Sequence, residues 1–423
     1  MSFQQGLSGL NAASKNLEVI GNNVANAGTF GTKTSRAEFS DMYAAALNGA
    51  SVNNIGIGVN LAAVAQQFTQ GNITATGNPM DIAINGSGFF QLTDGVNPPV
   101  YSRNGQFKID KDGYIVNNQK LRLIGYPADS MGSVQRGSAG PLQLPTAGVA
   151  PSETSRILLE ANVDARQEVT LPTSGPAIDF NDEDTYNHAT AVTVYDGKGE
   201  GIAVSYYFQK TGTDTWNVYA SANGTPVLDD GGTPPVPLPL TTLTFAANGS
   251  APPSPSGPIS FDIPATTNAA GVLTVPITGV TLDLSGMTQY ASGFGVTNLS
   301  QDGYAPGQLT SISIETDGML MARYSNGQSR PAGQLQLANF RNPQGLIAMG
   351  GNAWGTSFAS GTPITGMAGD GNMGVLQAGA LEESNVDLTG ELVAMITAQR
   401  VYQANAQTIK TQDQALQTLV NMR

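Results

Sequence analysis

Residues 388–423 read LTGELVAMITAQRVYQANAQTIKTQDQALQTLVNMR. Leu388, Leu392, Met395, Gln399, Tyr402, Ala406, Ile409, Asp413, Leu416 and Val420 follow one another at alternating spacings of four and three. That is the period of a single stripe along an α-helix, narrow enough for a coiled-coil seam. Neither Pro nor Gly interrupts the run after Gly390, and Ser384 or Asp387 is placed to cap its start. At about 1.5 Å per residue the helix runs roughly 50 Å. Chain ends usually fray, so an apolar stripe carried as far as Val420 needs a cover. The opposite end of the chain offers one. Phe3, Leu7, Leu10, Ser14, Leu17, Gly21 and Val24 keep the same alternation, and Ala13 and Ile20 widen the stripe. The spacing predicts a second helix, roughly 35 Å long.

Between these helices the period changes from helical to alternating. FKIDKDGYIVN sets Asp112-Gly113 between two alternating runs, and LTSISIETDGMLMARYSNGQ repeats the pattern at Asp317-Gly318. Both are hairpin signals. DIAINGSGFFQL alternates around an Asn-Gly, and TAVTVYDGKGEGIAVSYYFQKTGTDTWNVYA reads as two or three strands. DDGGTPPVPLPL and NGSAPPSPSGP read as exposed loops or extended spacers. The order helix, linker, β, inserted β, β, linker, helix predicts domains nested one inside another. The fold class expected is multidomain, mainly β, with a terminal α-helical coiled-coil domain. Its parts are a terminal helical domain (1–30 plus 386–423), linker arms (31–71 plus 362–385), a first β domain (72–145 plus 287–361) and an inserted β domain (146–286).

Composition narrows the function. Among 423 residues, 19 are Lys or Arg and 32 are Asp or Glu, for a net charge of −13. No basic run exists to meet nucleic acid or an anionic membrane. Charged residues make up 12% of the chain, about half the usual share of roughly 25%. With no cysteine, disulfides and thiolate metal sites are excluded. MSFQQGLSGLNAASKNLEVIGNN lacks the basic start and continuous apolar stretch of a cleaved secretory signal. No segment approaches the roughly 18 to 20 apolar residues of a membrane span. An exported chain of this kind is expected to leave by another route.

Residues that could carry chemistry are few. His188 stands alone, so a structural zinc site is not expected. Asp179, Asn181 and Glu183 alternate as calcium ligands would, but Asp184 and Thr190 occupy the positions where an EF-type loop needs Gly and Glu. A solvated loop is the better reading. Gly369, Gly371 and Gly374 spell GxGxxG without the strand-then-helix context that dinucleotide binding requires. No catalytic, metal or cofactor residues are assigned, and neither an enzyme nor a cofactor is expected.

The two ends together carry a resemblance. VIGNNVANAGTFGTKTSRAEFSDMY (19–43) resembles the N-terminal signature of the flagellar rod and hook protein family, and LEESNVDLTGELVAMITAQRVYQANAQTIKTQDQALQTLVNMR (381–423) its C-terminal one. GNITATGNPMDIAINGSGFFQL and YSRNGQFKIDKDGYIVNNQKLRLIGY are similar to the family's first β block. Asn23, Val24, Ala25, Asn26, Thr29, Gly31 and Lys33 match the first motif residue by residue, and Ser384 and Asn385 lie in the second. Thr32 stands where the family usually carries an aromatic residue, and Phe30 is expected to take over its packing. The length and the large insert point to a hook subunit. A distal rod protein of the same family, or a secreted β-rich adhesin, is the alternative.

The resemblance implies a helical homopolymer: a curved, flexible tube that acts as a universal joint and transmits torque from rod to filament. Phe3, Leu7, Leu10, Leu17, Val24, Leu388, Leu392, Met395, Tyr402, Ile409, Leu416 and Val420 would form the polymerisation seam, covered partly within one chain and partly by neighbours. The implied partners are other copies of the chain, the flagellar rod, hook cap and hook–filament junction proteins, and the flagellar type III export apparatus. The implied location is the extracellular hook, reached without a cleaved signal peptide. No nucleic acid and no membrane insertion are expected. The low charge agrees with this, because like charges repeated across identical contacts repel. Residues 1–30 carry only Lys15 and Glu18 as charged side chains.

Overall fold

A computed structural model describes residues 2–42, 56, 58–129, 132–145, 148–171, 177–233, 235–250, 254–255 and 257–421. The chain forms two compact units. The first comprises residues 1–146, 310–323 and 329–423, and the second residues 147–309 and 324–328.

The first unit contains both terminal helices, α1 (Ser2–Ala25) and α2 (Leu388–Asn421). Asp387 starts α2, as its side chain accepts from Thr389 N at 3.1 Å and its carbonyl accepts from Glu391 N at 2.9 Å. Strands β1 (Ser35–Met42) and β2 (Gly58–Gln66) pair antiparallel and pack against α1. These strands occupy much of the stretch that composition reads as a linker arm. Ala, Asn and Gly dominate there, and such residues give a weak strand signal. Residues 43–55 and 57 of that arm lie outside the described residues.

Beyond the helices the first unit is β. Strand β3 (Ile73–Ala75) pairs with Ala380–Glu382, and β4 (Ile82–Asn85) with Val375–Ala378. Strand β5 (Phe89–Thr93) pairs with β6 (Val100–Ser102), Arg122–Pro127 and Ser329–Asn339. DIAINGSGFFQL therefore crosses from one sheet to another at Asn85-Gly86 and does not close a hairpin. Side chains on β5 alternate with the two-residue period of a strand. Phe90 and Leu92 enter a core with Ile82, Ile84, Phe107, Ile115, Leu123, Leu335 and Leu376. Phe89 packs on the other face with Tyr101, Phe340, Trp354 and Phe68. The two Asp-Gly signals do mark turns. Gly113 and Gly318 both have φ of +84°, and their N–H groups donate to Asp110 O and Glu315 O.

The second unit is a pair of sheets around one core. One sheet orders its strands Ile259–Ile263, Ile277–Asp283, Arg156–Asn162 and Gly295–Gln301. The other contains His188–Tyr195, Gly201–Gly212, Thr215–Ala222 and Thr225–Pro226, with Thr241–Thr244 also on Thr215–Ala222. Ile202, Val204, Tyr206 and Phe208 alternate inward along one strand and meet Ile157, Leu159, Ile277 and Leu282 from the other sheet. Residues 287–309, expected with the first β block, lie in this unit. Gly295–Gln301 forms an edge strand on Arg156–Asn162, a pairing across more than a hundred residues that no local signal announces.

Candidate functional site: the helix pair and the joint at its base

α1 and α2 run antiparallel. Gly6 faces Ile409, Gly9 faces Asn405, and Asn23 Nδ2 donates to Glu391 Oε1 at 2.9 Å. Close approach depends on the two glycines. A Cβ at Gly6 would stand 3.1 Å from Ile409 Cγ1, and one at Gly9 would stand 2.9 Å from the Asn405 amide. The buried face of α1 is Gly6, Ala13, Ile20 and Asn23, and α2 meets it with buried Ala398 and half-buried Ala394, Met395, Asn405 and Ile409. Small residues thus stand where the two helices come closest, at Gly6 and Gly9.

The large apolar residues of the expected seam divide. Leu10, Leu17 and Val24 on α1, with Met395 and Ile409 on α2, are half-buried at or beside the contact. Phe3, Leu7, Leu388, Leu392, Tyr402, Leu416 and Val420 are exposed, with Val420 at 74%. Val393, Ile396 and Val401, which the four-three stripe omits, are exposed too. The register places the start of α1 opposite about residue 412, so α2 overhangs it by roughly two and a half turns, about 13 Å. The inner contact carries its own signal, the small residues Gly6, Gly9, Ala13, Ala394 and Ala398 at helical spacing. A search for large apolar residues passes over them.

At the base of the pair the motif residues converge. Asn26 closes α1 by donating from N and Nδ2 to Asn22 O, at 3.1 and 2.9 Å, while Ala25 is exposed at the helix end. Asn23 exchanges two bonds with Ser35, Nδ2 to O at 2.7 Å and N to Oδ1 at 2.9 Å. Asn385 Oδ1 accepts from Thr34 N at 2.7 Å, and its Nδ2 donates to Gln67 O at 2.8 Å. Ser384 Oγ accepts from Val386 N at 3.3 Å. Gly31 has φ of +72° and donates from N to Glu382 O at 2.8 Å. A side chain there would strike the backbone of Arg103 and Asn104. Asn352 bridges the Thr32 hydroxyl and Phe30 O.

Beneath this lies a group that sequence reasoning missed. Glu382 Oε1 accepts from Lys33 Nζ at 2.6 Å and Gly71 N at 2.9 Å, and Oε2 accepts from Arg103 Nη1 at 3.0 Å. Lys33 Nζ also donates to Thr69 O, and Arg103 Nη2 to Gly86 O. The Lys33 and Glu382 side chains are wholly buried, and that of Arg103 is 5% exposed. Burial pulls Lys33 below the ordinary lysine value and Arg103 below the ordinary arginine value, with the Glu382 carboxylate opposing both shifts. Lys33 falls within the recognised motif, but nothing near Arg103 or Glu382 in the sequence marks them as its partners.

The remaining chemical candidates have structural surroundings. His188 stacks on Phe294 at 4.6 Å between centroids, and on Trp216 at 5.8 Å. In the acidic run, Asp179 and Asp182 accept from the backbone N–H groups of Asn181 and Asp184. Gly369 and Gly374 close a turn between Ile364–Met367 and Val375–Ala378, so strands flank the GxGxxG on both sides. Among the described residues no helix is long and apolar enough to cross a membrane.

Comparison with known proteins agrees with this architecture. Residues 3–33 match the description of the flagella basal body rod protein, and 377–422 that of the flagellar basal body rod FlgEFG protein C-terminal. Residues 83–175 match the flagellar hook protein FlgE/F/G D1 domain, and 162–304 the flagellar basal body protein FlaE D2 domain. Flagellar hook protein FlgE of Salmonella typhimurium is 42% identical over 428 residues, covering 100% of both chains. The chain belongs to the flagellar hook protein FlgE family. FlgE of Escherichia coli K12 is also 42% identical, and that of Borreliella burgdorferi 30%, covering 100% of this chain and 99% of its own. The crystal structure of Helicobacter pylori flagellar hook protein FlgE2 shares the fold at a TM-score of 0.54 and 16% identity, covering 73% of this chain and 100% of that one. The FlgE family is a structural one, and this member is a structural subunit of the bacterial flagellar hook.

Proposed function

We propose that the outward apolar faces of α1 and α2 are the polymerisation surface, and that each is covered by neighbouring copies in a helical tube. The observation that carries this is the division of the helix pair. Small residues close it from within, and Phe3, Leu7, Leu388, Leu392, Val393, Ile396, Leu416 and Val420 stay in solvent. Apolar side chains in such number along one helical layer mark an interaction surface. The two ends of α2 complement each other: the overhang presents Leu416 and Val420, and the first turns present Leu388, Leu392, Val393 and Ile396. Joining the tail of one copy to the head of the next, whose own tail goes on to a third, is a heterologous contact, and it propagates into an open filament when the rotation from copy to copy does not close.

In this reading the helices form an inner layer that transmits torque from rod to filament, while the β parts outside it let the tube bend as a universal joint. The rod, hook cap, hook–filament junction and flagellar type III export apparatus are its remaining partners, and export proceeds without a cleaved signal. The nested division into inner helices, arms, first β domain and outer β domain belongs to the same reading.

The natural absence of cysteine makes a direct test possible. Positions 392 and 420 are about 42 Å apart along the helix, too far for a bond within one chain. Oxidised hooks of L392C/V420C are expected to give a ladder of dimers, trimers and longer species on a non-reducing gel, and each single variant no more than dimers. Hooks that assemble yet stay monomeric on the gel would disprove the head-to-tail overlap.

A further inference from the structure

We propose that Lys33, Arg103 and Glu382 form a positioning device that fixes the direction in which the helix pair leaves the β body of the first unit. The inference stands whichever surfaces cover the helices in the tube. It rests first on placement. Lys33 lies eight residues beyond the end of α1, and Glu382 six residues before the start of α2. Arg103 directly follows β6 in the β body. Both connections to the helices are therefore pinned at one carboxylate, and the third charge ties that carboxylate to the sheet. Asn23, Ser35, Asn385 and Glu391 add a second tier of bonds nearer the helices.

Energetics supplies the second argument. Three charges are taken from water for one ion pair's worth of neutralisation, leaving a net positive charge inside. Among the described residues Arg103 Nε has no hydrogen-bond partner. Replacing such groups with apolar residues of similar volume is often neutral or stabilising. Stability is therefore a poor reason for the triad, whereas geometry is a good one. Bonds of 2.6 to 3.0 Å from fixed donors admit one arrangement of the three segments, while an apolar plug would let the connections slide past one another. A subunit that passes a twisting load from helix to sheet needs that single arrangement.

The test separates direction from stability. Spin labels are placed on K108C in the β body and Q403C on α2, both exposed positions. The distance distribution is read by pulsed electron paramagnetic resonance in isolated hooks whose labelled subunits are diluted among unlabelled ones. The parent is expected to give one narrow peak. The apolar variant K33M/R103M/E382L is expected to keep the parental melting temperature of the subunit and to lose the narrow peak. K33M alone leaves a matched Arg103–Glu382 pair, and a broadened peak at the same mean is expected. A triple variant with a peak as narrow as the parent's overturns the proposal, whether its melting temperature is kept or lowered. Where the triple variant fails to fold or makes no hooks, K33M decides, and an unchanged peak there overturns the proposal.

Discussion

At the scale of single residues, the cost of a change in the first unit depends on what it leaves unpaired. Glu382→Gln keeps the shape of the side chain but strips two buried cations of their counter-charge. Breaking a buried pair from one side costs about 3–5 kcal/mol, so a large fall in melting temperature is expected, read from the fluorescence of Trp354. In the second unit, Asp196 is wholly buried. Burial raises its pKa, but bonds from the N–H groups of Val275, Glu200, Lys198 and Gly199 outweigh burial and hold it below the ordinary carboxylate value. A depressed carboxylate stabilises the fold above its unfolded pKa, and that contribution disappears as pH falls through the folded value. Asp196→Asn is therefore expected to lower the stability of the second unit by about 1–3 kcal/mol at neutral pH. The gap between variant and parent should narrow in thermal melts taken below about pH 4. The sequence shows Asp196 as the start of an Asp-Gly turn, which it is. It does not show Val275 arriving from 79 positions away to share the carboxylate.

At the scale of elements, the helices are legible and their faces are not. Period and the absence of proline place both helices within a few residues, because those signals are local. Which face turns inward depends on the partner, and here the partner selects glycine and alanine. Gly9→Leu is expected to wedge the pair apart at Asn405 and abolish hooks, and Asn405→Ala on the same chain should restore some of them by making room. Leu392→Asp should behave differently. The side chain is 45% exposed in the subunit, so its loss costs the monomer about 0.5 kcal/mol or less. A carboxylate forced into a dry contact between copies is far more costly. Normal melting with no hooks, not relieved by Asn405→Ala, is the expected outcome under electron microscopy. The hairpins at Asp112-Gly113 and Asp317-Gly318 were equally readable, since two residues determine the turn. Asn85-Gly86 joins strands that do not pair, because β4 takes its neighbour from Val375–Ala378 at the distant end of the chain and β5 takes β6, Arg122–Pro127 and Ser329–Asn339.

At the scale of the whole molecule, the chain's two tryptophans fall one to each unit, Trp216 in the second and Trp354 in the first. Each is buried in its own core. Trp354→Phe and Trp216→Phe variants therefore report the units separately by fluorescence. Two transitions at different temperatures are expected, because the main core cluster of the second unit draws only on residues 157–299. For the same reason residues 148–309 are expected to fold alone, with a cooperative melt and a β-type circular dichroism spectrum. A single coincident transition, or an unfolded fragment, would contradict this.

The pairing of β3 with Ala380–Glu382 and of β4 with Val375–Ala378 has a consequence on the ribosome. The first unit is begun at the start of translation, yet two of its sheets lack their second strand until more than 370 residues have been made. The second unit is nearly continuous in sequence and complete well before that. Order along the chain and folding order in time are therefore inverted: the part encoded in the middle is expected to become protease-resistant first, on chains stalled near residue 345. Resistance of the flanking part is expected only after release, and slowly, because sheet closure across such a span carries a high contact order.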